Sequence, residues 1–347
     1  MTKVLFIACS PSMWEGFETL YLEHLNDPEC VISVIPAIIY EKNKDGDGTN
    51  PTCEMDGYPE YLSLISLQDY NFEKERPDIT YIQNAQDNDN LGMSLHPSLY
   101  TSSLKKYTKK LVYVPYTVYD ESFLSDPYAL EEMRPVILPP HIGNADQIIV
   151  QSENMKNGLI QLLAGDDESL KNTWDKKIEW ENFPRTRLLQ ILHKEDIVMP
   201  DEWARHAYDA DGNPKKIVLY CNAVSITLCE DRNALNKIKG ALDYFKDNNS
   251  YCLLWRPHPK LSEILHRLRP YIADDYDKLL NYYITNDIGI LDDSDTPTAA
   301  IVLSDLYYGD PCGTAELFKT TCKPIAIENM RRSNDDLTAL TELLTNC

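Results

Sequence analysis

Residues 251–259 read YCLLWRPHP, and the rest of the chain can be interpreted around them. The apolar run at 251–254 predicts a short buried strand, and the polar segment from Leu261 predicts a helix. Arg256 and His258 then stand on a proline-stiffened turn at the carboxyl edge of a sheet, where open α/β sheets bind ligands. The guanidinium of Arg256 is a planar set of donors suited to phosphate, and His258 can donate or transfer a proton near neutral pH. The plain alternative is a surface arginine and a histidine packed under a loop.

A second stretch, residues 304–314, reads SDLYYGDPCGT and has the same organisation. An apolar run precedes it, a helix-like segment follows from Thr314, and a strand-like segment at 324–327 closes the unit. Small residues at a strand-to-helix turn allow backbone N–H groups to approach an anion. The alternative is an ordinary tight turn in which Asp310 acts as a helix cap. Cys312 lies within this turn, but a catalytic thiol there would need a partner histidine, and none can be placed from the sequence.

The rest of the chain alternates strand-like and helix-like segments. Residues 3–9 predict a strand, residues 14–25 a helix and residues 31–39 a second strand, which is the beginning of a parallel sheet with crossover helices. Residues 41–57 nearly match a calcium-binding loop, but Pro51 does not fit that motif, so they predict a surface loop. Further strands are predicted at 78–83, 111–116, 147–151 and 216–221.

Together these motifs resemble a known family. The Arg-Pro-His-Pro run at 256–259, the Ser-Asp-x-Tyr-Tyr-Gly-Asp run at 304–310 and the Lys-Pro pair at 323–324 are similar, in this order and spacing, to the donor domain of the CDP-glycerol glycerophosphotransferases, which are teichoic-acid-polymerase-like enzymes. The resemblance is strongest over residues 215–328. It is more diffuse in the N-terminal half, where residues 145–152 look like the family's end-of-domain strand and turn. It implies an α/β fold with two Rossmann-like domains whose parallel sheets face a cleft, the GT-B architecture.

The resemblance also implies where a donor binds. A CDP-linked donor would lie mostly on the second domain, with Arg256 and His258, the candidate catalytic pair of this domain, on its diphosphate. The nucleotide turn would include Asn222 and Ser225. The residues implied for the donor phosphates are Arg256, His258, Ser304, Asp305, Asp310, Gly313 and Thr314.

The implied chemistry needs neither a cofactor nor a metal. An acceptor hydroxyl would attack the distal phosphorus, or the sugar carbon if the donor is a nucleotide sugar, so catalysis would be mostly positioning and charge stabilisation. The acidic run DDSD at 292–295 could suggest a metal site, but it precedes a predicted helix, and we interpret it as capping of that helix.

The sequence departs from the family at the expected general base. In the family a His-Gly pair ends a strand of the first domain, whereas the corresponding strand here ends in VPYT at 114–117. Glu15, Asp87 or His96 could replace it, and we take Glu15 and His96 as the candidate catalytic residues of this domain. His96 lies between a strand and a helix near the expected cleft edge, although a structural histidine is the alternative. Glu15 follows the first strand, where helix capping is the alternative.

Composition limits the organisation and the partners. The 347 residues suit two domains, and a polar linker places the boundary within 195–214, which gives predicted domains of 1–205 and 206–347. The formal net charge of −22 argues against nucleic acid or an anionic membrane as a nonspecific partner. No apolar run approaches the roughly 20 residues of a membrane span, and the N-terminus does not resemble a signal peptide. The scattered cysteines contain no Cys-x-x-Cys pair; they predict reduced thiols in a cytoplasmic protein and no zinc site.

Three functions stay open at this point. The first is the transfer of glycerol phosphate, or a similar polyol phosphate, from a CDP-linked donor to an acceptor hydroxyl in cell-surface polymer synthesis. The second is a nucleotide-sugar glycosyltransferase on the same fold. The third is a catalytically inactive relative that binds a nucleotide or a protein partner, which the missing His-Gly pair favours. Fold similarity supports all three, and the sequence leaves the acceptor and the oligomeric state open.

Overall fold

A computed structural model describes residues 1–90, 92–328 and 337–345. The contacts within the chain divide it into two compact units, Met1–Leu188 and Leu189–Cys347. Each unit contains its own parallel sheet. The domain boundary expected between residues 205 and 206 stays a prediction.

The first unit is built on a six-stranded sheet in the order β2-β1-β5-β7-β8-β9, with every neighbouring pair parallel. In a separate small sheet, β3 pairs antiparallel with β4 and with β6. The order of the main sheet reverses between β1 and β5, which makes their carboxyl ends the topological switch point of this unit. The strands are β1 (Thr2–Ala8), β2 (Cys30–Pro36), β3 (Ile39–Lys42), β4 (Gly48–Thr52), β5 (Ile79–Ile82), β6 (Met93–Leu95), β7 (Lys110–Tyr113), β8 (Gln147–Ile149) and β9 (Ile178–Glu179).

Several helices of this part of the chain begin at a residue whose side chain caps the first turn. Ser152 accepts a hydrogen bond from the Met155 N–H at the start of α5, and Asp167 does the same for the first turn of α6. Short 3₁₀ turns occupy Pro11–Gly16, Pro97–Leu99, Ser122–Ser125 and Ile142–Asn144. The helices are α1 (Glu18–Leu25), α2 (Phe72–Glu75), α3 (Thr101–Leu104), α4 (Pro127–Ile137), α5 (Glu153–Ala164), α6 (Glu168–Lys177) and α7 (Pro184–Ile191).

The core of the first unit lies on both faces of its sheet. Successive side chains of a strand point to opposite faces, and in β1 both sets are buried. Leu5 and Ile7 belong to one apolar cluster, and Val4 and Phe6 belong to another. A parallel sheet covered on both faces in this way has only its strand ends accessible to a ligand.

The second unit has a five-stranded parallel sheet in the order β12-β11-β10-β13-β14. Counted within the unit, this is the order 3-2-1-4-5 of a Rossmann fold, and its switch point lies between β10 and β13. The strands are β10 (Lys216–Asn222), β11 (Tyr251–Pro257), β12 (Gly289–Leu291), β13 (Leu306–Gly309) and β14 (Ile325–Ile327). The helices are α8 (Asp201–Ala207), α9 (Val224–Glu230), α10 (Arg232–Asp247), α11 (Leu261–Leu268), α12 (Pro270–Thr285), α13 (Thr298–Leu303), α14 (Gly313–Lys319) and α15 (Thr338–Thr345), with a 3₁₀ turn at Lys194–Asp196.

The predicted α/β class, with two Rossmann-like units of parallel sheet, is confirmed. One segment differs from expectation: part of the loop predicted at 41–57 forms β4, paired with the adjoining β3. The partner that completes this sheet, β6, lies far along the sequence, so local composition gave no sign of the pairing. Within the described ranges, no helix is both long and apolar enough to cross a bilayer.

Candidate functional site

The carboxyl edge of the second sheet brings together three of the predicted residues. β10 ends at Asn222, β11 carries Arg256 near its end, and Asp310 directly follows β13. The register places Cys221 opposite Arg256 on one side and opposite Gly309 on the other, so the three strand ends lie side by side. This edge contains the switch point between β10 and β13, where ligands bind in open α/β sheets.

Arg256 is buried and ion-paired. Its Nη1 donates to Asp292 Oδ2 at 2.6 Å and to Ser294 Oγ at 3.0 Å. The two charged side chains are 7% and 0% exposed, so each charge is compensated mainly by the other. No described residue accepts a hydrogen bond from Nε or Nη2 of Arg256, so these donors remain for a ligand.

The acidic run at 292–295 does not cap a helix, so that interpretation was wrong. α13 begins only at Thr298, and its N-cap makes no side-chain hydrogen bond. Because β12 lies parallel to β11, with Leu291 opposite Trp255, the next residue, Asp292, comes beside Arg256.

His258 is exposed on the turn after β11. Its Nδ1 accepts the backbone N–H of Lys260 at 3.2 Å, so the proton of the neutral imidazole lies on Nε2. Lost hydration of the ring, and then the positive charges of Lys260 and Arg256, lower the pKa of His258. At neutral pH it is therefore an uncharged Nε2–H donor at the edge of the sheet.

The predicted nucleotide turn follows β10. Asn222 is buried, and its Oδ1 accepts the indole N–H of Trp255 at 2.8 Å, which fixes its orientation. Ser225 is exposed in the first turn of α9. The turn thus offers one accessible hydroxyl beside a buried amide.

Asp310 is 4% exposed and anchors this turn. Its Oδ2 accepts the Ala223 N–H at 2.8 Å. Burial raises the pKa of Asp310 to about 7, against the opposing effect of the Ala223 hydrogen bond, and the nearby carboxyl of Glu328 raises it further. Asp310 is buried and its Oδ2 is engaged by the Ala223 N–H, so we leave it out of the phosphate site.

Ser304 and Asp305 are not brought to this edge. They precede β13, so they lie at the amino edge of the parallel sheet, a strand length away from Asp310. Asp305 accepts the backbone N–H of Ile217 at the start of β10 and pairs with Lys194 at 2.6 Å. Ser304 is 0% exposed. Asp305 thus links β10 and Lys194 at the amino edge, and we remove both Ser304 and Asp305 from the phosphate site.

Cys312 is the N-cap of α14, and Gly313 and Thr314 form the first turn of that helix. Hydrogen-bond contacts with the Cys221 thiol, the Tyr307 hydroxyl and the backbone N–H groups of Ala315 and Thr314 lower the pKa of Cys312 to about 6, with the Cys221 contact the largest cause, although burial opposes them. The Tyr307 hydroxyl lies 3.5 Å from the sulfur.

The sulfur of Cys312 therefore lies at the N-terminus of α14, where the sequence of this turn predicted a bound anion. Cys221 stays a thiol, because burial raises its pKa well above the ordinary range. The partner of Cys312 is thus a second cysteine and a tyrosine, whereas sequence reasoning looked for a histidine.

Glu15 lies at the carboxyl edge of the first sheet, in the 3₁₀ turn after β1. Its carboxylate is 3.9 Å from Nη2 of Arg185, and the Arg185 side chain is 7% exposed. The same guanidinium stacks on the Tyr116 ring at 4.4 Å and donates to the Tyr116 carbonyl at 3.2 Å. Tyr116 stands in the VPYT segment, so Glu15 and Arg185 lie beside the segment where the sequence resemblance led us to expect a His-Gly pair.

His96 follows β6 and has a defined hydrogen-bond role. Its Nδ1 accepts the backbone N–H of Ser98 at 3.2 Å and lies 2.8 Å from Ser98 Oγ. The Nδ1 lone pair is thereby used, and the neutral ring carries its proton on Nε2. With Nδ1 engaged in this way, Nε2 is the ring nitrogen left for a ligand, so we keep His96 as a binding residue, and its role as a base stays a prediction. Asp87, the other substitute considered, is buried and accepts from Thr101.

Sequence reasoning missed three residues that shape these sites. Asp292 could have been found, because it directly follows a strand adjacent to β11. Cys221 ends a predicted strand, but its contact with Cys312 depends on which strands are neighbours. Arg185 gave no signal, because it reaches Glu15 from a helix about 170 residues away in the sequence.

No model of a known protein family matches the sequence, and no curated protein sequence matches it. Solved structures do match the fold. A proposed UDP-N-acetylglucosamine 2-epimerase from Listeria monocytogenes has 13% identity and a TM-score of 0.56, with 99% of this chain and 88% of that chain covered. A complex of MnaA from S. aureus with UDP has 11% identity and a TM-score of 0.54, with 98% and 82% covered.

A structure of the wall teichoic acid polymerase TagF with CDPG has 14% identity, with 94% of this chain and 69% of that chain covered. Its TM-score is 0.47, and we draw no conclusion from it. The matches with higher scores support the GT-B glycosyltransferase-like architecture. At these identities the likeness concerns the fold, and function has to be argued from the site.

Proposed function

We propose that the chain is a transferase that binds a nucleoside-diphosphate-linked donor at the carboxyl edge of its second sheet. The observation that carries this proposal is the placement of Arg256 and His258. Both residues lie beside the switch point of the sheet. Arg256 presents its Nε and Nη2 donors, and His258 presents its Nε2–H. These are donor groups suited to a diphosphate.

The roles of the two residues differ. Asp292 holds the guanidinium of Arg256 in place, so its remaining donors are oriented before the ligand arrives. His258 is neutral and can hydrogen-bond a phosphate oxygen of the departing nucleotide. The backbone of Gly313 and Thr314 stays in the proposal as a secondary contact, because the sulfur of Cys312 already uses the Thr314 N–H.

The finer proposal is a CDP-linked donor from which glycerol phosphate, or a similar polyol phosphate, passes to an acceptor hydroxyl. Glu15 is then the candidate base, positioned by Arg185. The motif at 256–259 supports this version. The specific alternative is an enzyme that uses a nucleotide sugar, since the S. aureus protein of the same fold was solved with UDP. An inactive relative would bind nucleotide without turnover.

Calorimetric titration with CDP, UDP and GDP tests the donor site. We expect one of the pyrimidine nucleotides to bind and the affinity to fall at least about tenfold when His258→Ala is combined with Arg256→Gln and Asp292→Asn. The paired change at 256 and 292 leaves no unpaired buried charge, so we expect the protein to remain folded. The control removes the same residue types from an exposed surface, as His266→Ala with Arg267→Ala.

The preferred nucleobase distinguishes the two versions of the proposed function. Binding of CDP supports the CDP-linked donor, and binding of UDP alone supports the nucleotide-sugar alternative. If folded wild-type protein binds none of the three nucleotides, the proposed donor site is wrong. If the nucleotide binds equally to the triple variant, the assignment of Arg256 and His258 is wrong.

A further inference from the structure

The first unit contains an open pocket of about 370 Å³ that the proposed donor site does not use. It lies beside the small antiparallel sheet, where His96 follows β6 and Tyr40 belongs to β3. Its volume falls within the range usual for small-molecule sites. The residues that give it its character are Tyr40, Leu67, Tyr70, Phe72 and His96.

Aromatic rings form much of the pocket lining. Tyr70 and Phe72 pack edge to face, with ring centroids 4.9 Å apart. Tyr40 and His96 stack with an interplanar angle of 28°. All four side chains are half-buried, so parts of their rings remain open to the pocket. Leu67 is buried beneath them.

Several polar groups of the pocket are unused. Nε2–H of His96 makes no hydrogen bond to a described residue, and neither do the hydroxyls of Tyr40 and Tyr70. Burial raises the pKa of Tyr70 to about 12, so this phenol keeps its proton. None of the lining residues is Lys, Arg, Asp or Glu.

We propose that this pocket binds the sugar ring of a hydroxyl-bearing acceptor, stacked on its aromatic side chains. That the bound sugar serves as an acceptor rests on the proposed function. Rigid aromatic surfaces match the C–H face of a pyranose, and neutral donors and acceptors match its hydroxyls. A phosphate-rich ligand is disfavoured because the lining offers no cation to compensate its charge. His96 then orients an acceptor hydroxyl by donating from Nε2, and the aromatic side chains determine specificity for a ring over a linear polyol.

Saturation-transfer NMR with the wild-type chain tests the proposal directly. The probes are methyl β-D-glucopyranoside, methyl N-acetyl-β-D-glucosaminide and, as the linear comparison, glycerol. We expect transfer to at least one glycoside and none to glycerol. Phe72→Leu keeps an apolar side chain and removes the ring, and we expect it to weaken glycoside binding about fivefold or more.

Two further variants isolate the polar groups. His96→Asn keeps an acceptor for the Ser98 N–H while it removes Nε2, and Tyr70→Phe removes only a hydroxyl; each is expected to weaken binding about threefold or more. Tyr128→Leu is the control, because Tyr128 is 85% exposed and lies outside the pocket.

Several results would overturn the pocket assignment: no glycoside binding by folded protein, binding unchanged in all three pocket variants, or preference for glycerol. The readout is independent of the donor site. Nucleotide binding without glycoside binding rejects this inference alone, whereas glycoside binding without nucleotide binding rejects the proposed function and leaves a sugar-binding pocket.

Discussion

Nη1 of Arg256 lies 2.6 Å from Oδ2 of Asp292, and both side chains are almost fully buried at the carboxyl edge of the second sheet. A buried pair of this kind stabilises little by itself, but breaking it leaves an uncompensated charge. The pair therefore fixes the orientation of Arg256 more than it contributes to the total free energy of folding.

Removing one partner of this pair should be costly. We expect Arg256→Ala to lower the free energy of unfolding by about 3 kcal/mol or more, because Asp292 is left charged and buried. Arg256→Gln with Asp292→Asn should lose much less. Urea denaturation followed by circular dichroism measures both, and an equal loss in the single and the double variant would contradict the pairing.

Cys312 should react as a thiolate well below the usual pH. Its hydrogen bonds with Cys221, Tyr307 and the first turn of α14 lower its pKa to about 6, so alkylation by iodoacetamide should rise with a midpoint near that pH. An ordinary thiol has its midpoint near about pH 8.5. Peptide mass spectrometry after timed alkylation reads each cysteine separately, and the exposed Cys322 is the comparison in the same sample.

The variant Cys221→Ala tests whether the Cys221 thiol is what lowers the pKa of Cys312. Loss of the Cys221 thiol removes the largest stabilisation of the Cys312 thiolate, so the midpoint should move to higher pH. A Cys312 midpoint that coincides with that of Cys322, or that does not move in Cys221→Ala, would contradict the arrangement.

Asp310 should make the protein less stable as the pH rises. Its folded-state pKa of about 7 lies above its ordinary value of 3.8, so the folded state holds a proton that the unfolded state has lost. The stabilisation is complete below about pH 4 and is lost progressively as the pH rises to about 7. A loss on the order of 4 kcal/mol corresponds to this shift.

Asp310→Asn keeps an acceptor for the Ala223 N–H and cannot ionise. We expect this variant to remove most of the decline in stability between about pH 4 and 7 and to exceed wild type in stability at pH 8. Asp293→Asn, at an exposed position nearby, is the control. Parallel stability curves for wild type and Asp310→Asn would show that Asp310 does not titrate in this window.

Gly309 should not tolerate a side chain. Its φ is +139°, and a Cβ would lie 2.3 Å from the carbonyl oxygen of Cys221 on the neighbouring strand. We expect Gly309→Ala to cost about 3 kcal/mol or more in unfolding free energy, because both the backbone conformation and the strand contact must change. Gly143→Ala, where a Cβ meets nothing within 4 Å, is the matched control, and a similar small effect in both variants would contradict the close approach.

Strand ends were predictable because a short apolar run followed by a polar turn has a local signature. The strand that begins at residue 251 was therefore predicted from the sequence, and its prediction placed Arg256 and His258 at the carboxyl edge of the sheet. The positions of Ser304 and Asp305 were also implicit: residues that precede a strand of a parallel sheet lie at its amino edge, and the motif resemblance obscured this simple rule.

The sequence by itself determined the two-unit α/β class, the strand-end position of Arg256 and His258, and the helix that starts after Cys312, because each depends on neighbouring residues. Only the tertiary structure decided which side chains contact one another. Asp292 reaches Arg256, Cys221 reaches Cys312 and Arg185 reaches Glu15 across strand or helix neighbours that are distant along the chain. Those contacts fix which groups are charged, oriented or unused, and burial, which sets the pKa of Asp310 and Cys312, exists only once the sheets are assembled.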